Sequence, residues 1–148
     1  MKTRPLLFLF CTLLMVFAII KPAIAEQSQL VLVASVESTA QLFTPAQLRK
    51  LFLGLSSGDR DSGIHPLRNL SDERLYHVFL QKVVFMSARN YERHLLVRVI
   101  NMGGKRPPSY TSHANLVRQL NADPSSVSYM WAKTANSTQG IKVLQKLW

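Results

Sequence analysis

Few residues of this chain combine the side-chain types and spacing that binding chemistry needs. Arg68 stands three residues before Ser71, and Asp72 and Glu73 follow directly. An arginine presents two parallel N–H donors to a carboxylate or phosphate. A serine at a helix start adds a hydroxyl beside unpaired backbone N–H groups. Arg68 and Ser71 are therefore the leading candidates for holding a small anion, although a helix cap beside a surface arginine uses the same two residues. Ser38 and Thr39 follow an apolar run, and ligand loops of α/β proteins gather at strand C-termini; an ordinary polar turn is the competing reading. Gly103-Gly104-Lys105-Arg106 offers a flexible backbone and two cations but lacks the spacing of a phosphate loop. It reads as a helix end in which glycine supplies positive φ.

Other chemistries find no constellation. His65, His77, His94 and His113 include no pair four residues apart, and the single cysteine is Cys11, so no metal site is expected. No Gly-x-Ser-x-Gly elbow is present. The expectation is a protein without cofactor or catalysis.

The elements that must position these residues alternate between strand and helix. Leu30 to Val36 is an almost unbroken apolar, β-branched run, the pattern of a strand buried on both faces as in a parallel sheet. Thr44-Pro45-Ala46-Gln47 carries a capping box with proline at the first helical position, and Leu48, Leu51 and Phe52 form the apolar face behind it. Ile64 to Leu67 predicts a short strand. Ser71 is placed to cap a long helix with Leu75, Val78, Phe79, Val83 and Met86 as its stripe. Ser87 caps a further helix in which Tyr91, Leu95, Val99 and Met102 share a face, and Gly103 to Pro108 breaks it. Ser112 opens a short helix with Leu116, Val117 and Leu120, ended by Asp123-Pro124. Ser126 to Trp131 and Ile141 to Leu144 predict two last strands, with Val127, Tyr129 and Trp131 on one side. The order β-α-β-α-α-α-β-β predicts a three-layer α/β domain with a mostly parallel sheet flanked by helices.

Composition narrows the setting. The chain has 148 residues and a net charge of +10, which bounds it to about one domain. Lys2 and Arg4 precede an uncharged apolar run from Leu6 to Ile20, and Ala23-Ile24-Ala25 follows. This is the pattern of a secretory signal peptide, too short for the roughly 20 residues of a spanning helix. Residues 1–25 are expected to be removed, and residues 26–148 to form one exported domain that does not span the membrane. Cys11, Lys2, Arg4 and Lys21 leave with the signal, so 123 residues remain with a net charge of +7. The basic residues are scattered from Arg49 onward, and an exported protein meets anionic envelope surfaces and small anions rather than nucleic acid.

Four segments carry a resemblance. Leu42-Phe43-Thr44-Pro45-Ala46-Gln47-Leu48-Arg49-Lys50-Leu51-Phe52-Leu53-Gly54 is similar to a segment shared by periplasmic proteins related to the substrate-binding components of phosphate transporters. Ile64-His65-Pro66-Leu67 followed by Arg74 and Phe79 resembles their next strand and helix. Gly103 to Pro108 resembles their glycine-rich loop ending in two prolines. Asn121-Ala122-Asp123-Pro124-Ser125-Ser126-Val127-Ser128-Tyr129 resembles their late strand. The resemblance covers Leu30 to about Trp131. It implies a fold like one lobe of a type II periplasmic binding protein, a periplasmic location, and phosphate or another small anion as ligand. The full-length phosphate binders carry Ser-Gly-Thr after an arginine; the matching stretch here is Arg68-Asn69-Leu70-Ser71-Asp72-Glu73-Arg74, with two acids where a dianion would dock.

Two functions are consistent with this reading. One is an exported, non-enzymatic module that captures a phosphate-like anion through Arg68 and Ser71, with Ser38 and Thr39 as further donors. The other is an envelope interaction or sensor-associated module that keeps the fold, has lost ligand chemistry, and meets a membrane receptor or envelope protein.

Overall fold

A computed structural model describes residues 29–55, 63–103 and 105–148. The expected signal peptide lies outside the described residues, as does most of the polar loop expected between Ser56 and Gly63. The elements run β1 (Leu30–Ser35), α1 (Pro45–Phe52), β2 (His65–Pro66), β3 (Arg68–Asn69), α2 (Glu73–Phe79), a π-helical turn (Leu80–Val84), α3 (Ala88–Met102), β4 (Ser109–Tyr110), α4 (His113–Ala122), β5 (Ser126–Trp131), α5 (Ala132–Ser137) and β6 (Ile141–Lys146).

β1 is the centre of the molecule. All six of its residues are buried, and it lies between β5 and β6 in a four-stranded sheet of order β2-β5-β1-β6. Its alternate side chains enter two different cores. Leu30, Leu32 and Ala34 pack with α1, α2, the π turn and α3 on one face. Val31 and Val33 pack with Leu116 and Leu120 of α4 and Ala132 and Ala135 of α5 on the other. The architecture is thus the expected α/β sheet flanked by helices.

The strand directions differ from the expected mostly parallel sheet. β1 runs antiparallel to β5, Leu30 facing Trp131 and Ala34 facing Val127, and antiparallel to β6. Only the short β2 is parallel to β5 in this sheet, while β3 and β4 form a separate parallel pair. A continuous apolar run reports burial on both faces, and a central strand between two helical layers satisfies that in either direction.

Local signals held where the whole interaction was local. Thr44 and Gln47 form the reciprocal capping box, with Pro45 at the first helical position. Ser87 and Ser112 cap α3 and α4 through their hydroxyls. The expected long helix after Ser71 instead begins at Glu73 under an Asp72 cap and widens into a π turn at Leu80. The turn ends at Phe85, which takes a left-handed conformation (φ 58°). This keeps Leu75, Phe79, Leu80 and Val83 buried while the chain reverses into α3. Of the expected inner face of α3, Tyr91 and Leu95 are buried but Met102 is exposed at its end. The last turn, α5 to β6, needs Gly140 at φ +77°, where an added Cβ would come within 2.9 Å of the Asn121 side chain.

An aromatic cluster ties three helices to the sheet. Phe79 stacks on Tyr129 with ring centroids 3.7 Å apart and meets Phe52 edge-on at 4.8 Å. The Tyr91 hydroxyl donates to the Phe52 carbonyl and the Tyr129 hydroxyl to the Asn69 carbonyl, so neither buried phenol lacks a partner. Phe79→Ala is expected to cost about 3–5 kcal/mol, measurable as a lower urea midpoint with the native circular dichroism retained in buffer.

Candidate functional site

β3 delivers Arg68 and Asn69 in opposite senses. Arg68 is 3% exposed. Its Nε donates to the Pro107 carbonyl at 2.9 Å, and Nη1 donates to Glu92 Oε1 from α3. The guanidinium carbon lies 6.0 Å from the Tyr91 ring centroid. The Tyr76 hydroxyl donates to the same Glu92 oxygen at 3.3 Å, and Arg106 approaches the other at 3.4 Å. A buried guanidinium needs a counter-charge, and Glu92 supplies it while the Pro107 carbonyl accepts from Nε. Burial, then the Glu92 charge, push the Tyr76 phenol up to about 12, so it stays a protonated donor.

Asn69 faces the other way. Its Nδ2 donates to the Tyr129 carbonyl at 3.0 Å, and its Oδ1 accepts from the Ser71 backbone N–H at 3.0 Å and the Ser71 hydroxyl at 2.6 Å. Ser71 therefore shapes the turn before α2 and does not cap it. The cap is Asp72, whose carboxylate accepts from the Leu75 N–H and from the Trp131 indole N–H, both at 2.9 Å. Burial alone would raise this carboxyl. The hydrogen bonds from Leu75, Trp131 and Arg74, with the Arg74 charge, outweigh it and hold the group below its ordinary 3.8. At the helix start where an anion would dock, the chain places its own carboxylate.

Ser38 and Thr39 lie at the other end of the sheet. The register sets Trp131, which touches Asp72, against Leu30, and Ser38 follows the far end of β1, about 17 Å along the strand by its rise per residue. Ser38 is buried, its hydroxyl accepting from the Ala40 N–H at 3.2 Å and its carbonyl accepting from Lys142 Nζ. Thr39 is exposed. The structure thus places Arg68 on β3 and Ser71 in the turn that follows it, with the guanidinium and hydroxyl engaged by different partners, and does not bring Ser38 or Thr39 to them.

An open pocket of about 390 Å³ lies beside the β2–β5 edge. Its lining includes Lys105, Arg106 and Pro107, Leu51 and Gly54, and His65 and Asp123. His65 Nδ1 meets Asp123 Oδ2 at 2.7 Å. That bond, chiefly, together with those from Ser126 and Ser125, holds the Asp123 carboxyl below its usual range against the effect of burial. Sequence reasoning passed over Glu92, Tyr76 and this pocket. Glu92 was legible in one respect, as the only acid of α3 among Arg89, Arg93 and Arg98. Among the described residues no group of three or more His, Asp or Glu side chains is placed to hold a metal ion, and no helix is long and apolar enough to cross a membrane.

The chain matches one lobe of a periplasmic binding protein-like fold. Its solved structural neighbours include an ABC-type phosphate transport receptor from Vibrio cholerae, with TM-score 0.56 and 13% identity over 79% of this chain and 45% of the receptor. They also include PstS from Borrelia burgdorferi, with TM-score 0.54 and 16% identity over 79% of this chain and 46% of PstS. The chain thus spans a little under half the length of either neighbour, and at such identities the likeness is one of fold. No protein-family model and no curated protein sequence matches it.

Glu92→Ala is expected to cost about 2 kcal/mol, less than the 3–5 of a fully buried pair because Glu92 is 41% exposed; chemical denaturation checks this. Asp72→Ala is expected to cost about 1 kcal/mol as a lost cap. Because the folded state depresses the Asp72 and Asp123 carboxyls below 3.8, their stabilisation is complete above that pH and lost as pH falls through the folded values. Thermal unfolding of the native chain should weaken below about pH 4, and Asp72→Ala should flatten that dependence.

Proposed function

We propose that the chain is an exported, non-enzymatic, periplasmic binding-protein-like module that works by contact with an envelope partner rather than by capturing phosphate at the start of α2. The observation that carries this reading is the neutralised pair of positions where the anion would sit. Arg68 is buried and committed to Glu92 and Pro107, and the α2 N-terminus is filled by Asp72. A dianion arriving there would have to displace one carboxylate and stand beside another, at a cost in like-charge repulsion that a helix terminus alone does not offset. The likeness to phosphate transport receptors supports the binding-protein reading and the periplasmic setting.

A second reading keeps the small anion and moves it to the open pocket, because Lys105 and Arg106 both line it. Calorimetric titration of residues 26–148 with phosphate and sulfate separates the two. The contact reading expects no heat and no thermal stabilisation at millimolar anion, since a ligand that binds the native state must raise its apparent stability. Binding lost in Lys105→Gln/Arg106→Gln but kept in Ser71→Ala would establish the second reading. Binding lost in Ser71→Ala would contradict the first and restore the α2 site.

A further inference from the structure

α3 carries apolar side chains on two opposite sides. Tyr91 and Leu95 are buried on the inner side. Ile100 stands nine residues from Tyr91, two and a half helical turns, and so points the opposite way. It is 71% exposed, and Leu96 and Val97 beside it are 50% and 46% exposed. The outer face of a surface helix is ordinarily polar, and contiguous exposed apolar side chains mark a surface that meets something else. Arg89 and Arg93 lie on this same outer side, one turn apart and directly N-terminal to the apolar group. Glu92, the only acid of the helix, is turned inward onto Arg68 and Arg106. The outer face is therefore cationic at one end and aliphatic at the other, with no acid of its own.

We propose that this outer face of α3 rests on an anionic phospholipid bilayer, its aliphatic side chains in the headgroup boundary and its arginines on lipid phosphates. The inference rests on the reading of the chain as an exported contact module and gives that contact its chemistry. Charge selects the occupant. A second copy seated on the same face would bring no acid to pair the arginines of either. The face also lacks the aromatic anchors that dominate protein–protein contacts. A convex helix with aliphatic residues beside arginines is what an anionic interface takes up, through buried apolar area and attraction to its negative surface potential.

The test is cosedimentation of residues 26–148, which contain both core clusters as formed among the described residues, with vesicles of one part phosphatidylglycerol to three parts phosphatidylcholine and with phosphatidylcholine alone. Binding is expected on the anionic vesicles, about tenfold weaker on the neutral ones and weakened by salt. Leu96→Ser/Ile100→Ser should reduce it by about tenfold with unchanged thermal unfolding, because the side chains are exposed. Arg89→Gln/Arg93→Gln, which leaves the apolar group intact, should reduce it and flatten its salt dependence. No binding to anionic vesicles, equal binding to both kinds, or binding that neither variant changes would overturn the proposal. So would a dimer in sedimentation velocity that the Leu96/Ile100 variant dissolves, which assigns the face to a second copy. Failure on vesicles leaves the phosphate titration unaffected, and phosphate binding leaves the vesicle result unaffected, so the failure of one reading is told apart from the failure of the other.

Discussion

A guanidinium that is almost wholly buried sets the terms for the elements around it. Arg68 cannot sit inside the fold as an unpaired charge, so Glu92 must face it, and that fixes the rotation of α3. The chain after α3 passes close enough for the Pro107 carbonyl to accept from its Nε and the Pro108 carbonyl to accept from the Arg68 backbone N–H. The two prolines stiffen that passage, and β4 follows from it by pairing with β3. Once Glu92 points inward, Tyr91 and Leu95 close the core, and the outer side of the helix is left with Arg89, Arg93, Leu96, Val97 and Ile100. One buried charge thus connects the interior to the surface that we assign to a bilayer.

The same constraint bears on function. In a binding site an arginine near a helix N-terminus is a donor awaiting an anion. Here the donor, the helix start and the neighbouring hydroxyl each have an internal partner: Glu92, Asp72 and Asn69 respectively. The chain keeps the shape of a binding-protein lobe, while the charges that would receive a ligand are balanced from within. On the reading we propose, fixed carboxylates stand where an exchangeable anion would, and Asp72 makes that arrangement sensitive to acid.

What could be read from the sequence was what short-range physics decides. The Thr44 capping box lies within four residues, and the burial of β1 follows from its own side chains. The alternation of Val127, Tyr129 and Trp131 placed them correctly on one face. Strand direction was not legible, because a buried strand has the same composition whether its neighbours run with it or against it. Ser71 and Asp72 are both good caps, and the choice between them rests on Asn69 and on Trp131, the latter 59 residues away. The partner of Arg68 lies 24 residues on, across a π turn that no local pattern announces. The candidate site therefore had its residues visible and their pairing hidden, and the pairing decides what they do.

The state of Arg68 is the most direct measure of this account. Its Nε–H resonance can be followed by nitrogen-15 NMR, in water and with millimolar phosphate. A proton held inside the fold on a carbonyl should exchange slowly with solvent, and phosphate should leave its shift unchanged. Rapid exchange, or a saturating shift as phosphate is added, would show an arginine open to ligand and contradict the internal neutralisation on which the rest depends.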